Sequence, residues 1–322
     1  MKLIIQIPCF NEADTLAIAL SCLPRTVPGV DDVEWLVIDD GSTDSTADIA
    51  RNCGVDHVVR HTRNQGLARA FMTGIEASLR FGADIIVNTD ADNQYNAVDI
   101  DALVAPIVSG TADMVVGARP IGAIQHFSPI KKLLQQVGSW VVRFASKTNV
   151  PDAPSGFRAI SRDTAMRLNV FNEYTYTLET IIQAGQKNME VVSVPVRVND
   201  DLRPSRLVKS IPAYIKRSVI TIFRIFIVYK PFRFFISVGV LLFVGGVVVG
   251  ARFLYFFIVG LGDGHVQSLI LAAVLLGIGF QTILVAFIAD LFAVNRSLLE
   301  SIQYIVKKSA FESEDERKAA RK

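Results

Sequence analysis

Residues 85–95, IIVNTDADNQY, decide the predicted fold of this chain. The stretch begins with a largely branched and apolar run, as in a buried strand, and continues directly into an acidic, amide-rich loop. Similar short apolar runs occur elsewhere in the first 120 residues, at 3–7, 35–38, 58–60 and 114–116. Stretches with helical spacing of Ala, Leu and Ile separate these runs, near 12–23, 44–53, 66–80 and 98–109. This alternation predicts an α/β, Rossmann-like fold with a mostly parallel sheet.

A second group of predicted elements follows. Helices are expected at 128–147 and near 174–186, and a strand is expected at 191–198. The segment SGFRAISR (155–162) lies between the two helices. The two groups of elements together predict one domain over residues 1–202.

The composition predicts that this domain is joined to a membrane-associated part. Of the 322 residues, 51% are hydrophobic, and the mean hydropathy of +0.37 exceeds that of an ordinary soluble protein. Residues 1–201 carry 17 Lys and Arg against 24 Asp and Glu, whereas residues 202–322 carry 16 against 7. Because the basic residues of the second part alternate with aliphatic runs, we expect a lipid bilayer as a partner and no nucleic acid.

The basic residues begin in a segment, 203–232, that we predict to form amphipathic helices lying on an anionic bilayer. An ordinary solvent-exposed helix is the less favoured alternative, because the apolar fraction of the segment is high. The basic residues at and just beyond this segment are Arg203, Arg206, Lys209, Lys216, Arg217, Arg224, Lys230 and Arg233.

Two longer apolar runs follow, and each is long enough to cross the hydrocarbon core of a bilayer as a helix. They predict a transmembrane hairpin over 233–290, with helices at about 234–258 and 266–289. Its connecting loop has no Lys or Arg, whereas both outer flanks do, so the positive-inside rule places both termini in the cytosol. Residues 291–322 are expected to form a cytosolic C-terminal helix and a charged, frayed tail.

These segments together predict an integral protein of the cytoplasmic membrane. The N-terminus shows no signal-peptide pattern, so residues 1–202 are expected in the cytosol. Glycines at helical spacing in the first apolar run predict close packing of the hairpin. They are Gly239, Gly245, Gly246 and Gly250.

Polar side chains follow the predicted strands at their carboxyl ends, where parallel sheets bind ligands. The first strand ends in IPCFNE (7–12), and the second ends in VIDDGSTD (37–44). Asp39 and Asp40 supply carboxylates that can accept hydrogen bonds from a base or a ribose. The sequence therefore predicts a nucleoside site at this edge of the sheet.

The loop after the strand at 85–88 carries a candidate metal site. Asp90 and Asp92 can both reach one divalent cation, and Gln94 adds a neutral oxygen. Mg²⁺ or Mn²⁺ held there can neutralise a diphosphate leaving group. Two acids at this spacing are weak evidence alone, but here they follow a buried strand and come about fifty residues after the DDGS turn.

The chain resembles glycosyltransferase family 2 in four motifs: PCFNE (8–12), DDGSTDST (39–46), NQGLARA (64–70) and TDADNQY (89–95). This resemblance covers roughly residues 1–120. It implies the GT-A fold, a UDP- or GDP-linked sugar donor, and Mg²⁺ or Mn²⁺ bound by Asp90, Asp92 and Gln94. The residues implied to bind the donor nucleotide are Pro8, Phe10, Asn11, Glu12, Asp39, Asp40, Asp90 and Ala91. Phe10 stands where many members have Tyr, which keeps ring stacking but loses a hydroxyl contact.

Within the family, the chain is similar to the polyprenyl-phosphate glycosyltransferases. The QxxRW motif of the processive synthases is absent from the sequence, in which Trp35 and Trp140 are the only tryptophans. The resemblance implies that Asp92 and Arg119 are catalytic. It further implies that the acceptor phosphate is bound by Arg119, Lys132 (or Lys131), Ser139, Arg203 and Arg206. Arg158 is open between a structural and an acceptor-binding role.

The expected reaction transfers a sugar from a nucleotide diphosphate to a polyprenyl (undecaprenyl or dolichyl) phosphate at the cytosolic membrane face, with inversion. A phosphate monoester is already ionised at neutral pH, so it needs positioning and charge neutralisation more than a general base. A hydroxyl of a lipid-linked or surface glycan is the alternative acceptor, with Glu173 or Glu179 as candidate base. A non-catalytic sugar-lipid scaffold is a second alternative. The resemblance also implies a homo-oligomer, with a tetramer among the options.

Overall fold

The chain divides into two units in the computed structural model, Met1–Ser218 with Glu300–Lys322, and Val219–Leu299. The structure describes residues 1–120, 136, 139–140, 142–170, 176–200, 220, 224 and 227–319. The predicted amphipathic segment at 203–232 therefore lies largely outside the described residues, as does most of the helix predicted at 128–147. Within the latter, residues 142–146 are helical.

A seven-stranded sheet lies at the centre of the first unit, in the order β3-β2-β1-β4-β6-β5-β7. Its strands are β1 (Lys2–Cys9), β2 (Asp32–Asp39), β3 (His57–Arg60), β4 (Ile85–Asn88), β5 (Met114–Ala118), β6 (Arg158–Ser161) and β7 (Val191–Pro195). The five predicted runs of the first 120 residues are all strands, and the mostly parallel sheet is confirmed. The strand predicted at 191–198 ends earlier, at Pro195.

β6 was not among the predicted strands, and it is antiparallel to both of its neighbours. Asn88 of β4 and Val116 of β5 lie opposite Arg158. The SGFRAISR segment thus runs between the two strands that carry polar loops at their ends. Its sequence, RAIS, has polar residues at both ends and two apolar residues between them, so it lacks the branched apolar run that marked the other strands, and only the pairing identifies it.

Helices cover the sheet and continue into the second unit. Their bounds are α1 (Leu16–Cys22), α2 (Thr46–Asn52), α3 (Leu67–Arg80), α4 (Ile100–Val108), α5 (Arg162–Arg167), α6 (Thr177–Gln186), α7 (Pro231–Ile258) and α8 (Val266–Ala319). The four helices predicted in the first 120 residues and the helix predicted near 174–186 are all present, with shorter bounds.

The core of the first unit lies on both faces of the sheet. Every residue of β1 from Leu3 to Cys9 is buried, as expected for a central strand covered by helices on both sides. Helix α3 packs against it so closely that a Cβ on Gly74 would overlap Gln6 and Ile38. This close approach holds β1 rigidly, and β1 carries the first functional loop at its end.

The C-terminal part of α8 packs against α5 and α6 of the first unit. The Tyr304 hydroxyl donates to Asp163 Oδ1 at 2.6 Å, and the Lys187 ammonium lies 3.0 Å from Glu300 Oε2. The Arg167 guanidinium stacks 4.1 Å above the Tyr304 ring. The sequence predicts a frayed tail near the end, whereas the helix continues to Ala319.

The chain has two described helices that are long and apolar enough to cross a membrane, Pro231–Ile258 and Val266–Ser313, each with a mean hydropathy of 2.5 in its most apolar window. The first of them and the second as far as Leu299 make up most of the second unit. They pack closely at glycines. A Cβ on Gly239 would lie 3.0 Å from the Ile283 backbone nitrogen, and one on Gly246 would lie 2.9 Å from that of Leu276. Close packing at these two predicted glycines is confirmed, whereas Gly245 has open space around it.

Gly279→Ala is expected to lower the melting temperature of the full chain in detergent by several degrees. A Cβ at this position would lie 2.6 Å from the Phe243 backbone nitrogen, so the two helices must separate. Overpacking of this kind costs about 1–3 kcal/mol. Gly277→Ala is the matched control, since a Cβ there meets nothing within 4 Å. Equal melting temperatures for both variants, measured by differential scanning fluorimetry, contradict the prediction.

Candidate active site

Three neighbouring strands bring the predicted site residues to one edge of the sheet. β2, β1 and β4 are adjacent and parallel, so their carboxyl ends lie together. The loops after these ends contain Phe10, Asp39 and Asp90. Ligands of parallel sheets bind at such an edge. The topology therefore brings the three acidic and aromatic motifs of the sequence to a common face.

The loop after β1 is tied to the turn after β2. Asn11 has a left-handed backbone (φ 54°), and its amide N–H donates to Ser42 Oγ at 2.9 Å. Its side-chain oxygen accepts the N–H of Thr43 at 2.9 Å. The backbone N–H of Glu12 donates to Thr46 Oγ1 at 2.9 Å. Asn11 and Glu12 therefore order the floor of the predicted nucleoside site.

Asp39 presents a buried acceptor at the end of β2. The Ser42 N–H donates to its Oδ1 at 2.9 Å. Its Oδ2 lies 3.0 Å from Arg60 Nε, but among the described residues it accepts no well-aligned hydrogen bond. A buried carboxylate oxygen without a full partner set is costly. An N–H or O–H of a ligand at this position satisfies it, and the side chain of Phe10, 41% exposed, supplies an aromatic face in the neighbouring loop.

Asp40 has different partners from Asp39. Its Oδ1 lies 2.6 Å from His61 Nδ1 and accepts the Gln65 N–H at 2.9 Å, while its Oδ2 accepts the Gly66 N–H at 2.8 Å. Both oxygens thus hold the loop that leads into α3. This geometry favours a loop-supporting role for Asp40, and its predicted contact with the donor stays a prediction.

Asp90 and Asp92 lie on the tight turn after β4. Asn93 takes a left-handed backbone (φ 57°), and the Gln94 N–H donates to Asp92 Oδ1 at 3.2 Å. Burial, together with the neighbouring Asp92 carboxylate, raises the pKa of Asp90 to about 7, although the Arg119 and Arg158 guanidiniums oppose the shift. Two carboxylates so close together disfavour each other's ionisation, and a bound cation stabilises the ionised form of both. Ala91 between them is buried.

The donor set of this turn fits a hard divalent cation that a substrate helps to bind. Within the part of the chain that the structure describes, no group of three or more His, Cys, Asp and Glu side chains could hold a metal. Magnesium sites commonly use one or two carboxylates together with substrate phosphates. Asp90, Asp92 and Gln94 offer oxygen ligands of that kind.

Arg119 forms a buried, two-point ion pair that the sequence did not predict. Its Nε donates to Asp152 Oδ2 at 2.7 Å and its Nη2 donates to Oδ1 at 3.0 Å. The side chains are 10% and 1% exposed. Burial lowers the pKa of Arg119, but Tyr95, Asp152 and Asp90 together outweigh burial and raise this pKa above its usual value. Asp152 lies 33 residues along the chain, and no local pattern marks it.

Arg158 is fully buried beneath the acidic turn. Its guanidinium donates to Thr180 Oγ1 at 2.6 Å and to the Thr177 and Ser155 carbonyls. Burial lowers the pKa of this side chain, and the Asp90 and Asp152 charges oppose that effect. Because the Arg158 side chain has no exposed surface, its position favours the structural role over the acceptor-binding role.

Other predicted site residues fall partly outside the described part of the chain. Ser139 is buried, and its Oγ accepts the Ala153 N–H at 3.4 Å. Glu179 lies in the first turn of α6. The predicted residues outside the described ranges are Lys131, Lys132, Glu173, Arg203 and Arg206.

The family model of Glycosyl transferase family 2 matches residues 4–169, which is more than half of the chain and includes the loops after β1, β2 and β4. The chain belongs to this family. The transferase sheet, its acidic turns and its GT-A fold are those implied by the four sequence motifs. The enzyme class predicted from those motifs is confirmed.

Relatives of this transferase carry informative names. Undecaprenyl-phosphate mannosyltransferase of Micrococcus luteus is 29% identical over 206 residues, which cover 61% of this chain and 83% of that protein. Polyprenol monophosphomannose synthase of Mycolicibacterium smegmatis is 25% identical, over 61% of this chain and 76% of that protein. The UDP-N-acetylglucosamine–dolichyl-phosphate N-acetylglucosaminyltransferase of Methanococcus voltae is 27% identical, over 59% and 83%.

Solved structures share the transferase fold. Glucosyl-3-phosphoglycerate synthase of Mycobacterium tuberculosis, in complex with phosphoglyceric acid, has a TM-score of 0.53 and 20% identity over 70% of this chain and 79% of its own. The same synthase in complex with Mn²⁺, UDP and phosphoglyceric acid has a TM-score of 0.51 and 19% identity over 69% and 78%. At this identity the likeness concerns the fold.

Proposed function

We propose that this chain transfers a sugar from a nucleoside diphosphate to the phosphate of a polyprenyl lipid at a membrane surface. The observation that carries the proposal is the acidic turn Asp90–Asp92, backed by buried guanidiniums, in a chain that also has two membrane-length apolar helices. The names of the relatives support the acceptor class, since three of them act on undecaprenyl, polyprenol or dolichyl phosphates.

The nucleoside of the donor binds at the ends of β1 and β2. The unsatisfied Asp39 Oδ2 accepts a hydrogen bond from the base or ribose, and the Phe10 ring stacks on the base. Asn11 and Glu12 hold the two loops together. The names of the relatives include both mannose and N-acetylglucosamine. The product assay below identifies the sugar and the base of the donor that this chain uses.

Asp90, Asp92 and Gln94 would hold a divalent cation at the acidic turn. When bound, Mg²⁺ or Mn²⁺ supplies positive charge to the leaving group. The fully buried guanidinium of Arg158 adds a fixed positive charge behind this turn. The Arg119–Asp152 pair is neutral overall and orients the Arg119 guanidinium, which stays 10% exposed. Both guanidiniums are already held by hydrogen bonds in the absence of a donor.

The acceptor phosphate attacks the anomeric carbon from the side opposite the diphosphate. A bond forms between a phosphate oxygen and this carbon, the bond to the diphosphate oxygen breaks, and the electron pair leaves with the nucleoside diphosphate. The anomeric centre is inverted. Because the phosphate enters as an anion, no general base is required. We assign its positioning to Arg119 and Ser139 and to the basic residues Lys132, Arg203 and Arg206.

We further propose that α7 and the first part of α8 cross the cytoplasmic membrane as a hairpin, with both termini cytosolic. The connection at 259–265 has no Lys or Arg, whereas Arg233 and Arg296 lie at the outer ends of the two apolar stretches, within α7 and α8. A polyprenyl phosphate places its charged head at the membrane surface and its chain in the bilayer. A membrane-anchored catalytic domain with a basic flank matches both parts of such an acceptor.

Product analysis by mass spectrometry tests the proposed reaction. The full chain in detergent receives Mg²⁺ or Mn²⁺, undecaprenyl phosphate and a panel of UDP-, GDP- and TDP-sugars. We expect one donor to yield a polyprenyl monophosphate sugar, and undecaprenol, which has a hydroxyl in place of the phosphate, to yield none. A product on a hydroxyl acceptor alone contradicts the proposal.

Glu179→Gln separates the phosphate and hydroxyl acceptors further. With a phosphate nucleophile, turnover is expected to stay within about twofold of the wild type, because no carboxylate base is needed. Loss of turnover with intact donor binding instead supports a hydroxyl acceptor. Donor binding is measured in parallel by isothermal titration with the nucleoside diphosphate.

A further inference from the structure

A chain of buried amides runs behind the acidic turn. Gln6 of β1 donates from Nε2 to Asn88 Oδ1 at 2.9 Å, and both side chains are fully buried. Asn88 in turn donates from Nδ2 to the Gly156 carbonyl at 2.9 Å. The remaining positions near them on β1 and β4 are aliphatic. Burying amides in such surroundings is costly unless their hydrogen bonds are made.

Gly156 is held at both of its backbone groups. Its N–H donates to the Tyr95 hydroxyl at 3.1 Å, while its carbonyl accepts from Asn88. The Tyr95 ring is itself stacked on the ring of Phe157, with 4.9 Å between their centroids. The peptide at Gly156 therefore has little freedom to shift.

The Asp90 carboxylate lies directly against this glycine. A Cβ on Gly156 would lie 3.2 Å from Asp90 Oδ1 and 3.3 Å from Oδ2. The absence of a side chain at Gly156 thus makes room for both carboxylate oxygens. The Gly156 backbone therefore packs directly against Asp90, the first acid of the proposed metal site.

We propose that Asn88 is a positioning residue for Asp90 and acts through Gly156. This inference rests on the proposed function, because it assumes that Asp90 binds the cation of the donor complex. Asn88 holds the Gly156 peptide, the peptide sets where the Asp90 carboxylate can lie, and that position sets the cation affinity. Asn88 and Gly156 are both buried, so we expect their substitution to change cation binding while the nucleoside site at Asp39 stays intact.

Titration with Mn²⁺, followed by electron paramagnetic resonance in the presence of UDP, tests the proposal on the full chain. For Asn88→Ala we expect the half-saturating Mn²⁺ concentration to rise at least tenfold, with metal-free UDP binding changed less than twofold. Tyr95→Phe retains the ring stack and removes the acceptor of the Gly156 N–H, so a smaller shift in the same direction is expected. Gly156→Ala is expected to raise the half-saturating Mn²⁺ concentration in the same direction, because its Cβ would lie 3.0 Å from the Tyr176 hydroxyl and 3.2–3.3 Å from the two Asp90 carboxylate oxygens.

Gln183→Ala is the control for general destabilisation. Gln183 is also a buried amide of the catalytic unit, and it pairs with the backbone of Asn169. Its melting temperature is expected to fall as in Asn88→Ala, with Mn²⁺ half-saturation unchanged within twofold. The proposal is overturned if Asn88→Ala and Tyr95→Phe shift Mn²⁺ binding no more than this control does. Absence of UDP-dependent Mn²⁺ binding in the wild type instead overturns the proposed metal site itself, and this inference with it.

Discussion

Asp92→Asn is expected to reduce kcat/KM for sugar transfer by about a thousandfold, equivalent to about 4 kcal/mol of transition-state stabilisation. The acidic turn has two carboxylates, and the described residues around it supply no third acidic, His or Cys ligand. Replacing one carboxylate by a neutral amide therefore halves the protein's negative charge at the cation. Initial rates over a range of Mn²⁺ and donor concentrations measure the effect.

Asp101→Asn is the matched control for this prediction. Asp101 is an exposed acid in the first turn of α4, and the same substitution there removes one charge from the surface. Its activity is expected to equal that of the wild type. Retention of a tenth or more of the wild-type kcat/KM by Asp92→Asn contradicts the metal-ligand role of Asp92.

Asp152→Asn is expected to lower the free energy of unfolding by about 3–5 kcal/mol, because it leaves the guanidinium of Arg119 buried without its countercharge. The two side chains form two hydrogen bonds and are 10% and 1% exposed. Urea unfolding of the full chain in detergent, followed by the fluorescence of tryptophan, measures this change. Trp35 in β2 is buried and reports on the catalytic sheet.

The pair Arg51 and Asp48 provides the comparison. It is an exposed ion pair within one helix, at 2.8 Å, and Asp48→Asn is expected to change stability by less than about 1 kcal/mol. The double variant Arg119→Met with Asp152→Leu is expected to recover part of the loss, because it leaves no unpaired buried charge. If the losses of stability from Arg119→Met alone and Asp152→Leu alone add up to the loss in the double variant, the two residues do not act as a pair.

Local patterns in the sequence carried most of the fold and the acidic part of the site. Strand and helix periods are properties of neighbouring residues, so the strands of the first 120 residues and the two apolar helices were predictable. The same holds for Asp90, Asp92 and Gln94, which lie on one turn. The four family motifs each lie within eight consecutive residues. They placed the chain in its family before any contact was known.

The tertiary structure alone decided which partners these residues have. Arg119 pairs with Asp152 across 33 residues, and Asn88 reaches Gly156 across 68. The pairing of the short antiparallel strand β6 with β4 is also a contact between distant residues. So is the hydrogen bond from the Tyr304 hydroxyl to Asp163, which lies 141 residues away in the chain. Such contacts depend on how distant strands are ordered in the sheet.

Asp39 and Asp40 show the division most clearly. The sequence presents two adjacent acids at a strand end, and their spacing does not distinguish them. Successive side chains point to opposite sides of a strand, so the two acids have different surroundings. Asp39 keeps a buried oxygen that lacks a full set of partners. Asp40 binds the 61–66 loop with both of its oxygens. The sequence by itself determined that acids stand at this edge, and the packing of the neighbouring loop decided which of them is available to a ligand.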